Sequence, residues 1–160
     1  MRLVKFTNEP LVFDPDYTYD NHHEIASAVG KPRGMWLSDE DDYGWREWCE
    51  GEDWNTGGLA HETEFRLTDE ANVLHITTEA EFRAFGAEYR ILAYPSIGSN
   101  MTTIDWARVR TEYDGIIISP YRYESRFDFE NFWYAGWDVA SGCIWNLSAI
   151  EQIERQEDAA

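Results

Sequence analysis

The segment Gly30-Lys31-Pro32-Arg33-Gly34-Met35-Trp36-Leu37-Ser38 is a glycine and proline turn that runs into a short apolar stretch, stops at a serine and is followed by acid. That layout predicts a strand that delivers the Ser38 hydroxyl to the rim of a ligand cleft. A cation, Lys5, and a second hydroxyl, Thr7, stand on Leu3-Val4-Lys5-Phe6-Thr7, the predicted opening strand. Other reactive side chains are poorly placed for chemistry. His22-His23-Glu24 are adjacent and point apart, His61 and Glu64 fall on opposite faces of a strand, and His75 alternates with apolar neighbours, so no metal site is expected. The sequence holds no phosphate-binding glycine loop, serine elbow, Cys-His pair at an informative spacing or zinc signature.

The elements that must position these groups follow from periodicity. Asp41 to Cys49 predicts a short helix under the second strand, with Tyr43 or Trp45 and Trp48 at helical spacing. His61 to Leu67 alternates as a half-buried strand does, and Ala71 to Ile76 reads as its antiparallel neighbour across Thr68-Asp69-Glu70. Thr78-Glu79-Ala80-Glu81 carries a capping box ahead of Phe82 and Phe85, and Ile104 to Tyr113 predicts a second helix with Trp106, Val109 and Tyr113 on one stripe. Asp114-Gly115 turns into Ile116-Ile117-Ile118, expected as a central strand. Gly142-Cys143-Ile144-Trp145-Asn146 is expected as a late strand, and Ser148 to Arg155 as a closing helix capped by Ser148. Asn8 to Val29 reads as an irregular connection with a short helix near His22 to Val29. The fold class is α+β: a single domain over residues 1–155, with short antiparallel strands around a few helices, and a frayed acidic tail at 156–160.

Composition bounds the function. The 160 residues, 43% hydrophobic and 16% aromatic, suffice for one real core. No run approaches the roughly 20 apolar residues of a membrane span, and Met1-Arg2-Leu3-Val4-Lys5-Phe6 lacks a signal peptide's apolar region, so a soluble cytoplasmic protein is expected. Cys49 and Cys143 are too few for a disulfide framework and are expected as reduced thiols. A formal charge of -18 disfavours unassisted binding to a nucleic-acid backbone. The acids crowd into Asp39, Glu40, Asp41, Asp42, Glu47, Glu50, Glu52 and Asp53, with Arg46 as the base among them. Such a run reads either as a solvated face or as a surface for a basic protein partner.

The order of these motifs resembles the ADP-ribosyltransferase superfamily. The resemblance implies a bent, split antiparallel sheet with NAD in the cleft, a basic residue on the first strand, a hydroxyl on the second and an acid near a late strand. Lys5 stands at the basic position and Ser38 at the serine position. The usual acidic position reads Ala140-Ser141-Gly142 instead of Glu, so Asp138 is the nearest substitute, with Glu124 and Glu130 further off. The chain also resembles uncharacterised phage and plasmid-borne proteins that share its Lys-Pro-x-Gly and Ser-Gly-Cys-Ile-Trp segments, which assigns no activity.

On that resemblance NAD is the substrate and Asp138 and Ser38 are catalytic. Cleavage of the nicotinamide bond builds positive charge on the ribose, which an inward Asp138 would stabilise. Lys5 would hold the diphosphate as a point charge, Thr7 and Ser38 would add hydrogen bonds, and Trp36, Tyr43, Trp45 or Tyr134 would stack on the nicotinamide. Plainer roles compete at each position: a solvated lysine, a helix-capping serine, a turn aspartate and aromatic core packing from Phe127 to Trp137. Two functions therefore stand, an NAD-dependent ADP-ribosyltransferase acting on a macromolecule and a non-catalytic acidic decoy for a basic, nucleic-acid-binding partner. The enzyme is preferred, because a decoy needs neither the Gly-Lys-Pro-x-Gly strand entry nor tryptophan-rich inner strands.

Overall fold

The computed structural model describes residues 1–20, 30–98 and 100–153, and its backbone is organised by one curled, mixed sheet of seven strands. Along the chain, Leu3–Thr7 (β1) and Met35–Asp39 (β2) precede a short helix, Trp45–Gly51 (α1). His61–Leu67 (β3) and Val73–Ile76 (β4) lead to helix Glu79–Tyr89 (α2). A separate two-stranded ribbon, Arg90–Leu92 (β5) with Thr102–Ile104 (β6), enters helix Trp106–Glu112 (α3). Gly115–Ile118 (β7), Ser141–Ile144 (β8) and Ile150–Gln152 (β9) complete the sheet in the order β4-β7-β8-β2-β1-β3-β9.

The α+β expectation matches this architecture, but several local expectations do not; the helix expected over Asp41 to Cys49, for one, starts at Trp45 and runs to Gly51. β4 does not pair with β3; it lies parallel to β7, with Leu74 opposite Ile116 and Ile76 opposite Ile118, so the sheet is mixed and not antiparallel throughout. The expected closing helix after Ser148 is instead a single turn of 3-10 helix, Leu147–Ala149, followed by β9, whose backbone pairs with Phe65 to Leu67 of β3. An exposed edge strand on β3 is thereby covered, a tertiary gain that outweighs the local capping signal. Ile104 ends β6 instead of starting α3, and Asp105 caps that helix by accepting the Arg108 N–H at 3.1 Å. The short helix expected near His22 to Val29 and the 156–160 tail lie outside the described residues.

The core explains why Ile116-Ile117-Ile118 reads as continuously apolar. β7 is flanked by β4 and β8 and covered on both faces: Ile116 and Ile118 pack with Phe82, Trp106 and Trp133, while Ile117 packs with Leu37, Phe65 and Ile144. Helix α2 begins with the expected capping box, in which Thr78 accepts from the Glu81 N–H while Glu81 accepts from the Thr78 N–H, and it buries Phe82, Phe85 and Tyr89. Asp39 ties three strands together from a buried position. One carboxylate oxygen accepts the Arg2 N–H at 3.0 Å and the Asp41 N–H at 3.2 Å, and the other accepts the Ser119 hydroxyl at 2.6 Å. Among the described residues no helix is long and apolar enough to cross a membrane.

Candidate functional site

β1 and β2 pair over only two residues each, Leu3 with Asp39 and Val4 with Ser38. Beyond them the strands part company. Lys5, Phe6 and Thr7 stay in register with β3, whereas Leu37, Trp36 and Met35 stay in register with β8. A cavity of about 250 Å³ is lined by both diverging strands, with Lys5 and Phe6 from β1 and Trp36, Leu37 and Ser38 from β2. Val4, Lys31, Trp45, Asp138, Val139 and Ser141 complete its wall. Lys5, Ser38, Asp138 and Trp36 therefore converge on one concavity, although they come from three separate parts of the chain.

Electrostatically the cavity runs against the rest of the protein. The sequence contains only two lysines, Lys5 and Lys31, and both line it. Burial pushes both ammonium groups below the ordinary lysine range. At Lys31, Asp138 opposes that effect, and the Lys31 Nζ lies 4.8 Å from the Trp36 ring centre, a cation–π contact that further favours charge. Lys5 has neither support, and among the described residues its ammonium makes no ion pair. The carboxylates of the adjoining strand, Glu62 and Glu64, are held by Arg2, and Glu62 also by Arg46 at 3.0 Å.

Asp138 is held in place by its neighbours. The Arg126 guanidinium donates to it at 3.4 Å and to the Ala135 carbonyl at 3.1 Å, while the Trp137 ring before it is fully buried. Glu124 and Glu130 are exposed elsewhere and do not line the cavity, so among the described residues Asp138 is the carboxylate in its wall.

Ser38 lines the cavity but is already engaged. Its hydroxyl donates to Glu40 at 2.5 Å and accepts the Trp45 N–H at 2.7 Å, satisfying the first amide of α1. The capping role weighed for it is thus realised, across seven residues instead of locally.

The remaining sequence candidates separate. Tyr134 cannot stack on a ligand: it is fully buried, with Phe82 and Trp137 rings at 5.0 and 5.5 Å, and its hydroxyl accepts the Arg122 N–H. Thr7 lies outside the cavity wall and donates its hydroxyl to the Glu9 carbonyl at 2.7 Å. Tyr43 also lies outside it and stacks on Tyr121, with ring centres 5.8 Å apart. Of the candidate rings, Trp36 and Trp45 line the cavity together with Phe6, and Trp45 is backed by a parallel stack on Trp48 at 4.9 Å. Sequence reasoning gave Lys31 no role, although a lone second lysine in the Gly-Lys-Pro-x-Gly entry to β2 was the available signal. Of the acidic run, Asp39 is buried, Glu40 accepts from the Trp45 N–H and Asp42 from the Tyr43 N–H, so Asp41, Glu47, Glu50, Glu52 and Asp53 remain exposed.

Comparison with protein-family models, with curated proteins and with solved structures gave no match to this chain.

Proposed function

We propose that the cavity between β1 and β2 binds the nicotinamide-ribose end of NAD and that the protein is an ADP-ribosyltransferase-like enzyme acting on a macromolecule. The observation that carries this reading is the convergence of Lys5, Ser38, Asp138 and Trp36 on one cavity. Its volume, about 250 Å³, is below the roughly 300–1,000 Å³ typical of pockets that enclose a whole ligand, which suits one end of a dinucleotide. Lys5 and Lys31 hold the adjacent phosphate, and Trp45 stacks on the pyridine ring. Asp138 faces the ribose. As the bond between ribose C1′ and the pyridinium nitrogen breaks, nicotinamide leaves with the electron pair and the Asp138 carboxylate stabilises the developing cation. An acceptor nucleophile then bonds to C1′ and releases its proton. Ser38 acts by positioning, since its hydroxyl fixes α1 and with it Trp45.

The decoy reading rests on the exposed acids Glu47, Glu50, Glu52 and Asp53, but Asp39, Glu40 and Asp42 are engaged within the fold, which leaves fewer free carboxylates for a partner. Nicotinamide release from NAD tests the enzyme. Slow release by the parent that Asp138→Ala abolishes while NAD still binds supports it, and equal release by both proteins rejects Asp138 as the catalytic carboxylate.

A further inference from the structure

Lys5 and Lys31 share a cavity but not an environment. Lys31 has the Trp36 ring at 4.8 Å and the Asp138 carboxylate to favour its charge, against burial and the nearby Arg126 guanidinium. Lys5 stands opposite Thr63 on β3, so the acids on either side of Thr63, Glu62 and Glu64, belong to the other face of the sheet, and among the described residues the Lys5 amine makes no hydrogen bond or ion pair. Among the described ionisable groups, Cys143 of β8 favours its charge, and burial outweighs that. A desolvated lysine with no partner, in the wall of a cavity, is the arrangement that favours a nucleophilic amine. The one other amine, at Met1, is the opposite case, paired with Asp41 at 2.9 Å and held above its ordinary range by that bond.

We propose that Lys5 is a nucleophilic amine that forms an imine with a small aldehyde or ketone bearing an anionic group, which Lys31 holds in the same cavity. The neutral Nζ adds its lone pair to the carbonyl carbon, and the carbonyl oxygen takes up a proton. The resulting carbinolamine loses water to leave a protonated imine. One water is released for each bond formed, and no oxidant or reductant takes part. This chemistry does not depend on NAD: an anion without a carbonyl restores the Lys5 proton and binds as a salt, whereas a carbonyl compound captures the amine.

The test uses pyridoxal 5′-phosphate, an aldehyde with a phosphate, added to the full chain at neutral pH, followed by borohydride reduction and peptide mass mapping. Three amines compete, so the outcome is readable. The expected result is one reduced adduct, on Lys5, absent from Lys5→Arg, with Lys31→Met needing about tenfold more probe because a charge-assisted contact is lost. Labelling of Lys31 or Met1 in preference to Lys5, equal labelling of both lysines, or no labelling of protein that circular dichroism shows folded would overturn the proposal. The labelling map of the parent decides even if a Lys5 variant fails to fold. NAD binding without labelling would reject the imine and leave the NAD reading standing, and labelling without NAD binding would do the reverse.

Discussion

Lys5 on β1 and Lys31 ahead of β2 line one cavity, yet only Lys31 has an aromatic face and a carboxylate to hold its charge. The first consequence concerns stability. Burial lowers the Lys5 pKa below 10.5, so in the window between the folded and unfolded values the unfolded chain binds more protons and stability rises with pH. Lys5→Met removes that cost. We expect it to raise the urea midpoint at pH 6 to 7 and the advantage to shrink as pH climbs towards 10; a variant less stable than the parent at neutral pH would contradict this.

Ser38→Ala removes a hydroxyl that accepts the Trp45 N–H, but Glu40 accepts the same N–H at 2.9 Å and remains. The loss should therefore fall near the lower end of the roughly 1–3 kcal/mol expected for an abandoned buried partner. Denaturant unfolding measures it. Because α1 carries Trp45, the same variant should weaken ligand binding without abolishing it, whereas complete loss of turnover with intact binding would make Ser38 catalytic in its own right.

The cap of α2 gives a pH-dependent signal far from the cavity. Hydrogen bonds from the Thr77 and Thr78 amides and hydroxyls hold the Glu81 carboxyl down at about 2 from an ordinary 4.5. Its contribution is present above about pH 4.5 and is lost as pH falls towards 2. Thr78→Ala should cost about 1 kcal/mol at pH 7. Glu81→Gln should be less stable than the parent at pH 7, with the difference closing in acid; a pH-independent gap would show that charge is not the cause.

Gly34 opens β2 because there is no room for a side chain. A Cβ there would lie 2.6 Å from the Ile144 carbonyl oxygen and 2.7 Å from the Cys143 sulfur, so β8 and the turn carrying Lys31 would have to separate. We expect Gly34→Ala to destabilise by about 1–3 kcal/mol, in the range of overpacked cores, and to weaken anion binding by displacing Lys31. Unchanged unfolding would show that the two strands have slack at this point.

Much of the local structure was legible because it is written in short-range chemistry. The Thr78-x-x-Glu81 cap, the Asp114-Gly115 turn and the triple isoleucine of β7 each form the element their residues favour. Pairing was not legible. Nothing local distinguishes β4 beside β3 from β4 beside β7, and the Ser148 and Glu151 pattern that favours a helix gave way to β9 because the edge of β3 needed a partner. The aromatic stretch from Phe127 to Trp137 divided for the same reason. Trp133 and Tyr134 pack on Phe82 of α2, Trp137 packs on Trp36 of β2, and all three are buried, while Phe127 and Phe129 are 68% and 71% exposed. In the cavity, Lys5, Ser38, Trp36 and Asp138 could be named from their motifs, whereas Lys31 carried only the weak signal of a lone second lysine, since its place in the wall exists once β1 and β2 diverge beside it.

The most direct measurement is calorimetric titration with NAD, nicotinamide mononucleotide and ADP-ribose of the parent and of the Lys5→Met/Lys31→Met double variant, both checked for folding. We expect the parent to bind NAD and nicotinamide mononucleotide, the ligands that carry the pyridine ring, more tightly than ADP-ribose, and the double variant to lose that binding. Absence of heat from every ligand at millimolar concentration, or undiminished affinity in the double variant, would contradict an NAD site between β1 and β2.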